Sequence, residues 1–277
     1  YFKTLLFMAL IKTRQEINQI LQGGKIIGEI LENLKKIATP GATTAEVDFV
    51  AEKMILEAGG KPAFKNYRNH PKDTPFPSTI CASVNEELVH GIARSDVVLK
   101  DGDIFKIDIG MEWPLKNDKG YFTDTAITVA VGGVSKKHQE LMRVTKESLE
   151  IGIKAARPGN SVADIGREIE KYVNSQGDYG IVRDLVGHGV GHAVHEEPRI
   201  PNYYDRHLER IILKPGMVIA IEPMIALGDW QVETGPDGWT IVMSDGGVCA
   251  HFEHTIVITE KGNKVATRRP EEKKYIR

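Results

Sequence analysis

Two stretches of this chain repeat each other without a gap. Residues 99–108, LKDGDIFKID, align with residues 213–222, LKPGMVIAIE. Each runs from a turn into an apolar strand that closes on a carboxylate, Asp108 in one and Glu222 in the other. Two further echoes keep the same order. PGATTAEVDFVAEKMILEAGG from Pro40 resembles PGNSVADIGREIEKYVNSQG from Pro158. Both carry Pro-Gly, a Ser/Thr cap, an acidic residue three positions on, an amphipathic helix and a glycine stop. DTAIT from Asp124 pairs with EHTIVIT from Glu253, each with a carboxylate at the head of a β-branched strand. Similar offsets mean that two half-chains of helix, helix, strand and hairpin are laid end to end. Two copies are too few for a solenoid. The chain is therefore expected to fold as an α/β (α+β) domain with an internal pseudo-two-fold duplication. The half-repeats run from about 13 to 132 and from 136 to 267, within a single domain 13–277.

Local signals fill in the halves. Thr13-Arg14-Gln15-Glu16 reads as a capping box, and apolar residues from Ile17 to Leu34 follow at helical spacing, weakened in the middle by Gly23-Gly24. A second helix is expected from Thr43 or Thr44 to Gly59-Gly60, and a third over residues 136–156. At 277 residues, 41% hydrophobic and 27% charged, the chain is of ordinary globular composition. Its net charge of −2 argues against non-specific attraction to nucleic acid or membrane. Two cysteines make no disulfide framework, so a reducing cytoplasm is expected. The apolar run in YFKTLLFMALIK is too short to span a bilayer. Residues 1–12 are read as an N-terminal extension or start region, with Met8 the native start.

If the halves face each other, Asp108 meets Glu222 and Asp124 meets Glu253. FKIDIG and IAIEPM place their acids inside apolar strands, where an unpaired charge is costly. Four anions that meet in a core need cations, and one or two divalent metals supply the charge. Carboxylates alone suit calcium or magnesium, and an added imidazole shifts preference toward manganese, iron, cobalt or zinc.

LVGHGVGHAVHEEP, residues 185–198, offers three imidazoles: His188, His192 and His195. His188 and His192 have the spacing of a helical zinc pair, but Gly189 and Gly191 disfavour helix and no Glu follows the first His. A loop or strand is expected instead. His188 follows Leu-Val and touches glycine, much as His90 does in NEELVHGIA.

Taken together, Asp108, Asp124, GHGVGHAVHEEP, AIEPM and FEHTIVIT resemble the type I methionine aminopeptidases, metallopeptidases of the pita-bread fold. The likeness runs from about Thr13 to Thr267. It implies a central antiparallel sheet covered by helices and a dinuclear site held by Asp108, Asp124, His188, Glu222 and Glu253. Asp124 and Glu253 would bridge two divalent metals, Co, Mn, Fe or Zn. Asp108 would complete one metal, and His188 with Glu222 the other. Glu222 would shuttle the proton, His90 and His195 would touch substrate, and His192 would be structural. Phe76, Cys81, His90 and Trp239 would shape the methionine pocket, with Trp239 on the same hairpin as Glu253. The implied partners are peptide or protein N-termini that begin with Met and carry a small second residue. The resemblance further implies a cytoplasmic monomer that meets its substrates at the ribosome and binds neither nucleic acid nor membrane.

Two departures stand out. The Asp108–Asp124 spacing is longer than the family commonly has, so the hairpin tip is expected to turn at Asn117-Asp118-Lys119-Gly120. The residues after Asp108, Ile-Gly, are closer to the proline-specific peptidases of the same fold. Such a peptidase is the nearest rival, though FEHT lacks its usual Arg-x-Glu-Asp element. A pita-bread binding module without metal is a second rival, against which all five ligands are present.

Overall fold

The computed structural model describes residues 10–68 and 70–275; the expected start at Met8 lies outside them. The chain opens with helices α1 (Arg14–Ile37) and α2 (Thr44–Glu57), then β1 (Lys61–Pro62), β2 (Ile80–Val84), β3 (Glu87–Val89), β4 (Ile104–Lys116) and β5 (Lys119–Ala130). Helices α3 (Lys136–Ala155) and α4 (Val162–Gln176) follow, then β6 (Gly180–Ile181), β7 (Gly187–Gly189) and β8 (Glu196–Ile200). The last third is strand-rich: β9 (Val218–Ile221), β10 (Met224–Ala226), β11 (Val232–Thr234), β12 (Ile241–Met243), β13 (Cys249–His251), β14 (His254–Thr259) and β15 (Gly262–Val265).

The expected caps form. Thr13 with Glu16, Thr43 with Glu46 and Ser161 with Asp164 each make a reciprocal capping box at the start of α1, α2 and α4, which satisfies backbone N–H groups left without a partner. Gly23-Gly24 does not interrupt α1. A Cβ at Gly24 would lie 2.7 Å from the Ala266 backbone, so glycine lets the helix press directly onto the segment after β15. Ile30, Leu31 and Leu34 of α1 and Val144, Leu149 and Ile153 of α3 are buried in the core over the apolar strands.

The two halves make matching contacts. In the first, Gly41 N–H donates to Leu99 O at 2.9 Å and Leu99 N–H donates to Ala42 O at 2.8 Å. In the second, Gly159 N–H donates to Leu213 O at 3.0 Å and Leu213 N–H donates to Asn160 O at 2.8 Å. The larger sheets also correspond in place, β1-β4-β2 with β5 beside β4, and β15-β14-β9-β7-β8.

They meet where β5 passes residues 253–255. The Asp124 N–H donates to Thr255 Oγ1 at 2.9 Å, and the Thr255 hydroxyl donates to Asp124 O at 2.8 Å. The Thr125 hydroxyl donates to Glu253 O at 2.8 Å.

Two local expectations need correction. The hairpin turns at Asn117-Asp118 alone, with φ of 52° and 59°, and Lys119-Gly120 already belong to β5. Both turn residues take the left-handed backbone that a two-residue hairpin turn demands and that Asn and Asp tolerate. Because the strands extend to that tip, Asp124 stands in the middle of β5 rather than at its head. Trp239 does not share a hairpin with Glu253. It sits between β11 and β12, whose sheet continues to β3, whereas Glu253 lies between β13 and β14.

Candidate metal centre and pocket

The register of the strands converges the carboxylates. Asp108 on β4 faces Ala126 on β5, and Asp124 faces Gly110. The two acids are therefore diagonal neighbours on one face of an antiparallel pair. In the other half, Ile221 pairs with His254. Glu222 follows the first and Glu253 precedes the second, so these acids emerge side by side. Asp124 and Glu253 are 3% and 2% exposed. Oδ1 of Asp108, Oδ1 of Asp124 and Oε1 of Glu253 are buried with no hydrogen-bond partner. Such orphaned anionic oxygens call for a cation.

His188 enters from β7. Its Nδ1 lies 2.9 Å from Gly189 O. A carbonyl can only accept, so in the neutral ring Nδ1 carries the proton and Nε2 presents a lone pair. That Nε2 is 3.5 Å from Glu222 Oε1 and 3.9 Å from Asp124 Oδ2. Ligand atoms of Asp124, His188 and Glu253 all fall within 4.8 Å of one another, a grouping that fits one ion. A Cβ at Gly189 would lie 2.2 Å from Glu197 O; glycine there admits a neighbouring strand rather than substrate.

Burial sets the electrostatics. It raises the Asp108 carboxyl to about 6 and the Glu222 carboxyl to about 8. Asp124 and Glu253 are pushed well above the usual carboxylate range, first by burial and then by the neighbouring acids. His188 is held down to about 3 and His90 to about 4, again chiefly by burial. Neutral imidazole beside anionic oxygens is a donor set for a borderline divalent metal.

One residue at this centre escaped the sequence reading. His251 on β13 is 1% exposed and has both ring nitrogens without a hydrogen-bond partner. Its Nε2 is 3.5 Å from Glu222 Oε2, so Glu222 lies between two imidazoles. The available signal was its place two residues before Glu253 in CAHFEH, the spacing that puts side chains on one face of an extended chain.

Residues 18–260 match metallopeptidase family M24. The chain is 45% identical to methionine aminopeptidase 1 of Bacillus subtilis over 261 residues, covering 94% of this chain and all of that protein. The crystal structure of a methionine aminopeptidase from Thermotoga maritima superposes with a TM-score of 0.86 at 40% identity, covering 94% of this chain and 99% of that one. This chain belongs to metallopeptidase family M24 and, within it, to the methionine aminopeptidases. A prolidase from Pyrococcus furiosus shares the pita-bread fold at TM-score 0.73 and 26% identity, but the chain covers only 67% of that structure. Metallopeptidases of this family work with divalent metal, and the grouping of Asp124, His188 and Glu253 could hold such an ion.

The chain has a cavity of about 400 Å3 over its carboxylates. It is lined by all ten residues singled out from the sequence: Phe76, Cys81, His90, Asp108, Asp124, His188, His195, Glu222, Trp239 and Glu253. Phe76 and Trp239 meet edge to face with ring centroids 5.3 Å apart. Burial, reinforced by Asp108 and Asp124, pushes the Cys81 thiol up, so it lines the wall as a protonated, weakly polar group. His90 follows β3 with φ 56°, a left-handed backbone uncommon outside glycine that turns its ring into the cavity. His195 packs against His188 with centroids 4.6 Å apart, and its Nδ1 is 3.0 Å from the Tyr67 hydroxyl. Tyr67, Phe64 and Met224 also line the cavity; Met224 closes the AIEPM motif, whereas Phe64 and Tyr67 stand apart from any quoted one. His192 is elsewhere, with its Nε2 2.8 Å from Glu16 Oε1 on α1. Among the described residues, no helix is long and apolar enough to cross a membrane.

Proposed function

We propose that this protein removes the initiator methionine from peptides and proteins, with Asp108, Asp124, His188, Glu222 and Glu253 holding two divalent metals. The observation that carries the reading is the cluster of buried, unpartnered carboxylate oxygens around His188 Nε2 at the floor of an aromatic-walled cavity. Divalent metal there would supply Lewis acidity, lowering the pKa of water and polarising the scissile carbonyl. Asp108, Asp124, Glu222 and Glu253 would hold the metals through carboxylate oxygens, and His188 through Nε2.

The chain's own groups do the rest. Glu222, flanked by the Nε2 atoms of His188 and His251, carries a proton from the attacking water to the departing amine. His195, kept neutral by burial and tied at Nδ1 to Tyr67, offers its other ring nitrogen to the developing oxyanion. His90 hydrogen-bonds the nitrogen of the scissile amide. Phe76, Cys81 and Trp239 enclose an unbranched, polarisable side chain such as methionine. Crowding at the mouth selects a small second residue.

The two half-repeats, 13–132 and 136–267, belong to this reading and are supported by their matched backbone hydrogen bonds. The same reading takes the protein to be a cytoplasmic monomer that meets its substrates as they leave the ribosome. Metal-loaded protein should release methionine from Met-Ala-Ser and leave Xaa-Pro dipeptides intact. Hydrolysis of Xaa-Pro without release of methionine would overturn the reading.

A further inference from the structure

The loop that carries His195 has little backbone pairing of its own. Residues 191–195 form successive bends between β7 and β8. Within them, Gly191 N–H donates to Ala193 O at 3.1 Å, and from outside Phe122 N–H donates to Gly191 O at 2.8 Å. Side-chain contacts add to this hold: His192 Nε2 meets Glu16, His195 Nδ1 meets Tyr67, and the backbone itself is gathered by the carboxylate of Glu196, the residue directly after His195. Its Oε1 accepts from Ala193 N–H at 2.9 Å and from the N–H of His192. Its Oε2 meets Nζ of Lys12 at 2.5 Å.

Lys12 is an unusual partner. It lies just before α1, far from Glu196 in sequence, and its side chain is only 1% exposed. Its own N–H donates to Gly216 O at 2.8 Å, and its neighbour Ile11 bridges to Met217, so its backbone is fixed to the chain leading into β9. Gly191 is shaped around it: φ is +137°, and a Cβ there would stand 2.7 Å from Lys12 Cε. A buried ammonium with one carboxylate partner cannot let go cheaply, because either charge left alone is strongly penalised. Glu196 is thus pinned from one side by a rooted cation while its other oxygen gathers the loop.

We infer that Lys12 is a positioning residue for His195: through Glu196 it fixes the loop that aims the imidazole into the cavity. The catalytic consequence rests on the proposed role of His195 at the substrate.

The test is a double-mutant cycle in the full-length, metal-loaded protein with Met-Ala-Ser as substrate. Lys12→Met should lower kcat/KM at least tenfold, mainly through kcat, with bound metal unchanged. In a His195→Ala background the same change should cost less than twofold, since the residue it positions is gone. Equal losses in both backgrounds would mean that Lys12 acts on overall stability and would overturn the inference. If Lys12→Met does not fold, the charge-neutral pair Lys12→Met with Glu196→Gln takes its place in the cycle, because it leaves no lone buried charge. A second readout does not depend on activity. In 13C-histidine-labelled protein the His195 ring signals should move in the Lys12 variant, and by more than those of His90. Unmoved His195 signals would refute the clamp. Full activity of His195→Ala would refute the role given to His195, and the ring signals would still decide whether Lys12 holds the loop.

Discussion

The backbones of Ala126 and Glu253 exchange hydrogen bonds: Glu253 N–H donates to Ala126 O at 3.1 Å, and Ala126 N–H donates to Glu253 O at 3.4 Å. This reciprocal pair ties two of the buried carboxylates together through the backbone, because Asp124 stands two residues from one partner and Glu253 is the other. Beneath it lies Arg269, itself 1% exposed, whose Nη1 is 3.3 Å from Ala126 O. Its positive charge opposes the rise of the Glu253 pKa. The junction is therefore braced by a buried cation on the side away from the pocket.

That brace has a measurable worth. Arg269 pairs with buried Glu272 at 2.5 Å, and Glu272 Oε2 is 3.2 Å from Nε2 of buried His254. Glu272→Ala leaves the guanidinium unpaired in the core and should cost about 3–5 kcal/mol of unfolding free energy. Urea denaturation checks this, and a loss below about 1 kcal/mol would show that the triad is not structural.

Metal-free protein should lose stability as pH rises from about 6.5 to 8.5. A carboxyl whose folded pKa is raised contributes stability below its ordinary value near 4 that is lost as pH climbs through the folded value. Glu222, raised to about 8, titrates inside that climb, whereas Asp108, raised to about 6, has yielded most of its share just below it. His188 and His90, lowered to about 3 and about 4, work in the opposite sense, but their contribution is fully present above about 6.5. Melting curves of chelated protein should therefore fall across this range, and a saturating divalent metal should raise and flatten them. A flat profile without metal would contradict the buried quartet.

The histidines of GHGVGHAVHEEP should separate in kinetics. His195→Ala removes a donor aimed at developing charge and should lower kcat by about 10²-fold or more. His192→Ala loses an exposed contact to Glu16, worth about 1 kcal/mol or less, and should stay within about twofold of the parent. Equal losses would reassign the pair.

Trp239→Ala opens the wall against Phe76. It should raise KM for Met-Ala-Ser about tenfold, equivalent to about 1.4 kcal/mol, with a smaller change in kcat. Unchanged KM would remove Trp239 from the pocket.

Much of this centre was legible because it is written twice. The echo of LKDGDIFKID in LKPGMVIAIE carries its own pairing logic, and the caps at Thr13, Thr43 and Ser161 are local chemistry that sequence displays directly. What stayed hidden depends on contacts between remote segments. Lys12 looks like any lysine before a helix until Glu196 is placed beside it. No motif marks Arg269 or Glu272 until the core closes around them. Trp239 was set on the wrong hairpin because chain proximity to Glu253 does not reveal that β12 turns away to pair with β3.

The division of the proposed ligands has a consequence during synthesis. Asp108 and Asp124 leave the ribosome long before His188, Glu222 and Glu253. A partly made chain thus holds two mutually repelling acids without His188, Glu222 or Glu253 to complete a centre, so metal capture should wait until the last strands are in place. Completion of the polypeptide is then also its activation, and a prematurely released fragment should be an inert peptide rather than a stray protease.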